Sequence, residues 1–186
     1  DNQQAYDDGS IQDYRKQGFA GRLSYTYDSR YVAEFNFGYN GSENFAKGHR
    51  FGFFPSVSMG WRITNEEFMK GTQDWLNNLK LRASYGQVGN DIYKIGGAKQ
   101  RFLYEQKWNQ IGNDYRYGET WQSGIYESQY PNYGVTWERA HKYNLGLEFG
   151  LWNGLLSGNL DLFYEKRNDI LTQYLTRPQW VGVAMA

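Results

Sequence analysis

The chain has 186 residues, 20 basic against 20 acidic, for a formal net charge of zero, so it carries no electrostatic footprint for nucleic acid. It has no cysteine, which removes disulfides, thiolate metal sites and cysteine nucleophiles together. No apolar run approaches the roughly 18 residues of a spanning helix, and residues 1–18 are polar, without the apolar core of a secretory signal.

Aromatic side chains make up 19% of the chain and glycine outnumbers proline 22 to 3. That balance suits pleated sheet joined by turns. Six segments alternate with period two, at about residues 22–28, 31–40, 54–63, 79–86, 142–151 and 156–165. The first sets Leu23, Tyr25 and Tyr27 against Arg22, Ser24, Thr26 and Asp28. The second sets Tyr31, Ala33, Phe35, Phe37 and Tyr39 against Glu34 and Asn36. In the third, Pro55, Val57, Met59 and Trp61 oppose Ser56, Ser58 and Arg62. In the fourth, Leu79, Leu81, Ala83 and Tyr85 oppose Lys80 and Arg82. The fifth opposes Tyr143, Leu145, Leu147 and Phe149 to Lys142, Asn144 and Glu148. The sixth opposes Leu156, Leu160, Leu162 and Tyr164 to Asp161 and Glu165. The six apolar faces hold no charged residue and the opposite faces hold ten.

Such a series in a chain with 22% charge predicts an all-β fold, an antiparallel transmembrane β-barrel segment of about six strands. Phe35, Phe37, Leu145 and Leu147 are then lipid-facing, and Arg62, Lys80, Arg82, Glu148 and Glu165 form a polar wall toward the lumen. The connections alternate as well. Residues 28–30 and 152–154 are tight, residues 65–78 have room for a helical turn, and the links at 41–52 and 87–140 are long. Short periplasmic turns and long extracellular loops have this asymmetry, whereas a connection as long as 87–140 is rare within a compact soluble domain. Six strands fall short of the roughly eight that close the smallest single-chain barrel, and open edges would expose unpaired backbone to lipid. The expectation is an internal piece of a larger barrel, residues 1–186 all belonging to the barrel domain.

The stretches KGHRFGFFPSVSMGWRI (residues 47–63) and LKLRASYGQVGN (residues 79–90), with TWERAHKYNLGLEFGLWNG and FYEKRNDIL further on, closely resemble the SusC/RagA-type TonB-dependent outer-membrane transporters. The resemblance runs from about Gly21 to Leu171. It implies the C-terminal part of a 22-stranded barrel in the outer membrane of a Gram-negative bacterium, with the plug domain absent from this piece. It further implies import of nutrients, oligosaccharides first and peptides second. The implied partners are a SusD-like surface lipoprotein acting as a lid, the TonB complex reached through the plug region, and the lipid bilayer.

No catalytic constellation stands out, and the chain is not expected to be an enzyme: His49 and His141 are about ninety residues apart. The Asn–Asp pairs at 90–91, 113–114 and 168–169 lack the spacing of a calcium loop, so neither metal nor cofactor is expected. In the long link, Trp108, Tyr115, Tyr117 and Trp121 are candidate rings for stacking on substrate, against the plainer reading that they pack within the loop or touch a lid. Two other readings stand beside transport: a passive porin or outer-membrane barrel enzyme, and a soluble carbohydrate-binding β-sandwich.

Overall fold

The computed structural model describes residues 2–5, 11–95 and 98–172. Its main body is one six-stranded antiparallel sheet made of β3 (Lys16–Tyr27), β4 (Tyr31–Ser42), β5 (Phe51–Arg62), β6 (Leu76–Asn90), β11 (Glu138–Leu151) and β12 (Leu156–Asn168), in the order β12-β11-β6-β5-β4-β3. All six predicted strands are present, and each pairs with its neighbour in the predicted succession. They are longer than their alternation shows, between 12 and 15 residues.

Three small hairpins or hairpin strands lie outside the sheet. β1 (Asn2–Ala5) pairs with β2 (Ile11–Tyr14). The long link holds β7 (Tyr93–Ile95) paired with β8 (Ala98–Gln100), and β9 (Lys107–Tyr117) paired with β10 (Thr120–Gln129). Because β6 reaches Asn90 and β11 begins at Glu138, directly opposite it, the excursion is shorter than residues 87–140 and is itself largely β.

The registers join the apolar faces into continuous rows. Leu23, Phe35, Val57, Tyr85, Tyr143 and Tyr164 share one row. Tyr25, Ala33, Met59, Ala83, Leu145 and Leu162 form the next, and Tyr27, Tyr31, Trp61, Leu81, Leu147 and Leu160 the one after. A one-residue slip at any pairing would have turned the later strands inside out. No second layer covers this face among the described residues: Leu23 is 70% exposed, Leu145 46% and Leu162 68%. A sandwich packs a partner sheet on such a face; the described residues form a single layer instead.

The apolar band runs oblique to these rows. Its upper edge lies at Tyr39 on β4 but at Tyr143 and Tyr164 on β11 and β12, four residues lower. Its lower edge falls from the row of Tyr31 and Leu147 to Leu151 and Leu156, again by four. At ~3.3 Å per residue and ~4.8 Å between strands, that drop over the four strand spacings from β4 to β12 corresponds to a tilt of about 35°, matching the roughly 35–45° of transmembrane barrels.

Tight turns close one end of the sheet. Asp28 and Ser29 both take positive φ, the geometry that lets a short hairpin turn follow the twist of its strands. At the turn of residues 152–154, Asn153 and Asn77 bind reciprocally: the Asn153 N–H donates to Asn77 Oδ1 at 2.5 Å and Asn77 Nδ2 donates to Asn153 Oδ1 at 2.8 Å. Short 3-10 helices at Ile63–Asn65 and Glu67–Thr72 fill the third connection on this side, where a helical turn is predicted. At the opposite end β5 and β6 part beyond the Ser56–Gly86 pair. The Phe54 ring lies so close to Gly52 and Gly89 that a Cβ on Gly89 would be 2.0 Å from it. Phe45, Tyr93, Val135 and Trp137 complete the small buried core there.

Candidate functional site: the polar wall and the two rims

The polar face of the sheet is an ion-pair ladder. Arg22 pairs with Glu34. Glu148 faces Lys80 Nζ at 3.7 Å and Arg82 Nε at 3.4 Å, and Arg82 goes on to Asp161 at 3.1 Å. Lys142 reaches Glu165 at 3.6 Å, and Arg167 joins Glu165 at 2.5 Å and Glu138 at 3.6 Å. The Arg82–Asp161 pair spans a whole strand, because Gly146 stands between them in register. A Cβ there would sit 2.5 Å from Arg82 Nε. Each such exposed pair contributes only ~0–1 kcal/mol, so the ladder's consequence is a wettable, charge-balanced wall. It borders a hollow of about 300 Å³ lined by Glu34, Ser58, Lys80, Arg82, Ser84 and Asn144. Of the predicted polar-wall residues, Lys80, Arg82, Glu148 and Glu165 join this ladder, and Arg62 lies opposite Lys80 in register. Phe35, Phe37, Leu145 and Leu147 all project from the other face, in agreement with the alternation.

At the tight-turn rim, sequence reasoning missed Glu66. Its Oε1 accepts hydrogen bonds from the Tyr31 hydroxyl at 2.6 Å and Trp61 Nε1 at 2.9 Å, and Arg30 reaches Oε2 at 3.1 Å. The hydroxyl of Tyr31 and the indole of Trp61 hold its carboxyl below the usual carboxylate range against some desolvation, with Arg30 adding to the effect. The same two rings stack with centroids 6.4 Å apart, and Tyr27 stacks on Tyr31 at the same distance. A nearly buried carboxylate thus pins an aromatic rim.

At the other rim the organising group is Asp91, 4% exposed. It accepts from the Tyr14 hydroxyl at 2.5 Å, Lys16 Nζ at 2.6 Å and Ser42 Oγ at 2.7 Å, while Asn44 Nδ2 donates to its backbone carbonyl at 2.8 Å. Burial alone would raise its pKa. The bonds from Lys16, Tyr14 and Ser42 outweigh that and hold it below the ordinary value. The carboxylate is thus used to tie β3, β4 and β6 together. Next to it, Tyr14, Lys16, Ser42, Glu43, Arg50 and Phe51 line an open hollow of about 670 Å³. Desolvation pushes the neighbouring Tyr93 hydroxyl far up.

The four candidate stacking residues are not brought to one place. Trp108 stands opposite Glu127 and Trp121 opposite Arg116, which at ~3.3 Å per residue leaves them about 20 Å apart along the hairpin. Arg116 lies over the Trp121 ring at 6.0 Å. Tyr117 sits beside the turn and is 83% exposed, and the Tyr115 side chain lies outside the described residues. The hairpin is anchored at its base, where Gln129 Nε2 donates to the carbonyls of Phe102 at 3.2 Å and Glu105 at 2.9 Å. His141 Nδ1 is 3.0 Å from the Tyr85 hydroxyl, a bond between β6 and β11.

A single-layer antiparallel sheet, apolar along one face of every strand and ionic along the other, is a segment of wall from an outer-membrane β-barrel. The chain belongs to the family described as "TonB dependent receptor-like, beta-barrel", whose model matches residues 1–184. It is 34% identical over 155 residues to the TonB-dependent receptor SusC of Bacteroides thetaiotaomicron, covering 82% of this chain and 15% of that protein. It is 32% identical over 167 residues to the TonB-dependent receptor P26 of Formosa agariphila, covering 88% of this chain and 16% of the relative. Among solved structures, the RagAB peptide transporter matches with a TM-score of 0.73 and 26% identity over 94% of this chain and 18% of that one. The closed-closed state of the same importer gives 0.75. These relatives are TonB-dependent receptors, and the chain spans about one sixth of their length.

Proposed function

We propose that this chain is part of the barrel of an active transporter of the SusC/RagA type, importing oligosaccharides or peptides across the outer membrane with energy supplied through TonB. The observation that carries the reading is the register-locked pair of faces, one apolar through six strands and one carrying the ion-pair ladder. The apolar face meets lipid, the ladder lines the lumen or receives a plug, and the tight turns face the periplasm. The β9–β10 hairpin, fixed at its base and rich in exposed rings, extends on the outer side, where it would meet substrate or a SusD- or RagB-like lipoprotein lid. Sugar faces would stack on Trp108, Tyr117 and Trp121 one at a time, while the likeness to the RagAB peptide transporter supports the peptide alternative. No catalytic role is assigned to any residue.

The test uses the full-length parent protein in its own bacterium. Deleting its gene should abolish growth on a defined set of oligosaccharides or peptides, and removing TonB function should have the same effect. Undiminished uptake without TonB would overturn active transport and favour a porin.

A further inference from the structure

Above its tyrosine edge, the apolar face turns cationic. His141 and Arg139 continue the outward face of β11 beyond Tyr143, and Lys166 continues that of β12 beyond Tyr164, each by the two-residue step that preserves the side. His141 and Lys166 are direct partners in register, as are Tyr143 and Tyr164. Beneath them the rings form a platform, with Tyr85 and Tyr143 at 4.9 Å and Tyr143 and Tyr164 at 6.0 Å. The alternation read from sequence begins at Lys142 and ends at Glu165, just short of this patch, so it went unseen.

The charge pattern sets the patch apart. All five acidic residues of the six strands, Glu34, Glu138, Glu148, Asp161 and Glu165, stand on the polar face. There Arg22, Lys80, Arg82, Lys142 and Arg167 are each paired with one of them and Lys16 with Asp91, while Arg62 stands at the opposite, tight-turn end. Arg139 and Lys166 point the other way, and among the described residues neither has an ion pair or hydrogen-bonded carboxylate. Two unpaired cations on adjacent strands, directly above an aromatic platform at the end of a bilayer-spanning band, suit one kind of ligand: an anionic headgroup whose chains lie along the band.

We propose that Arg139 and Lys166 bind the phosphate of a lipid in the leaflet at the long-connection end, with the Tyr85, Tyr143 and Tyr164 rings beneath its headgroup. A phosphate presents several acceptor oxygens that can bridge cations on neighbouring strands. The amphipathic tyrosines belong at the headgroup level, and cations at that level attract anionic lipid. A free phosphate ion would gain the charges but leave the platform unused, which is why a lipid is the occupant. His141 is held toward Tyr85 by its 3.0 Å contact and flanks the site without being required for it. The inference rests on the bilayer placement of the apolar face and is independent of which nutrient is carried.

The test uses the full-length transporter in nanodiscs of digalactosyldiacylglycerol, a lipid without phosphate, offered monophosphoryl lipid A, the same lipid without its phosphate, or inorganic phosphate, with retained molecules counted by native mass spectrometry. The wild type should retain the phosphorylated lipid in preference to the other two. Arg139→Gln with Lys166→Gln should reduce that retention about tenfold or more, the scale of losing two charge-assisted contacts, while Arg139→Lys with Lys166→Arg keeps it. Equal retention of the dephosphorylated lipid by the wild type overturns the proposal without recourse to any variant, as does unchanged retention in the Gln pair. Failure of the wild type to enter nanodiscs would instead refute the bilayer placement.

Discussion

Placing an arginine at the centre of the apolar band separates lipid from a protein core. On β4 the band runs from Tyr31 to Tyr39, with Phe35 midway. Eight residues at ~3.3 Å give about 26 Å along the strand. At the ~35–45° tilt of transmembrane barrels this is roughly 20 Å of depth, close to the ~25 Å apolar band of such proteins. Phe35 therefore sits near mid-membrane, and Phe35→Arg in the full-length parent should cost about 2–4 kcal/mol, whereas Tyr39→Arg near the rim should cost about 0–1 kcal/mol. Asn36→Arg, one position along, turns to the polar face beside Glu34, whose Oε1 already accepts from Asn36 Nδ2 at 2.8 Å, and should cost less than Phe35→Arg. The assay is reversible urea unfolding of the parent in lipid vesicles. A soluble core would also reject Phe35→Arg, so the set includes Phe35→Leu with Phe37→Leu. Lipid adapts to the altered shape, while a close-packed core loses complementarity. Equal penalties at Phe35 and Asn36, or a loss of several kcal/mol in the double Leu variant, would refute the assignment of this face.

Gly146→Val should drive Arg82 from Asp161 and cost about 1–3 kcal/mol by overpacking; in an Arg82→Ala background the penalty should shrink, which a double-mutant cycle would measure. Asp91→Asn removes the charge of the acceptor and puts an amide donor in place of one oxygen, a loss of ~1.5–3 kcal/mol locally, and should speed hydrogen exchange at the Ser42 and Asn44 amides. Because the Asp91 carboxyl is held below its ordinary value of ~3.9, its contribution is complete above that pH and disappears as pH falls through the lower folded value. Wild-type exchange protection at these amides should therefore weaken on acidification, and that of Asp91→Asn should not. Removing residues 104–126 should leave the barrel assembled, by heat-modifiable gel mobility, while lowering uptake or lid co-purification; loss of assembly would make this stretch part of the wall.

Much of the wall was legible because the information is local. Side chains alternate sides at every residue, so Leu23, Phe35, Met59 or Leu162 declare a face without any knowledge of what lies beside them. The tight turns declared themselves likewise through Asp28 and Asn153. The β9–β10 hairpin was not legible, since a ribbon standing free of the sheet has no covered face to impose alternation, and its strands are further broken where Gln122 and Gly124 bracket a register shift. The rims were hidden for another reason. Glu66 lies unmarked in the connection at 65–78 and Asp91 in one of three Asn–Asp pairs, and only the fold brings Tyr31 and Trp61 to the first, and Tyr14, Lys16 and Ser42 to the second. The bridge from Arg82 to Asp161 depends on a register that sets Gly146 between them. The outward turn of Arg139 and Lys166 depends on two strands continuing past the residues whose pattern announced them. Sequence alone determined which side each strand shows, because that follows from the period of the backbone. Tertiary structure decided which residues meet across strands, because register and tilt are fixed by all six strands pairing at once.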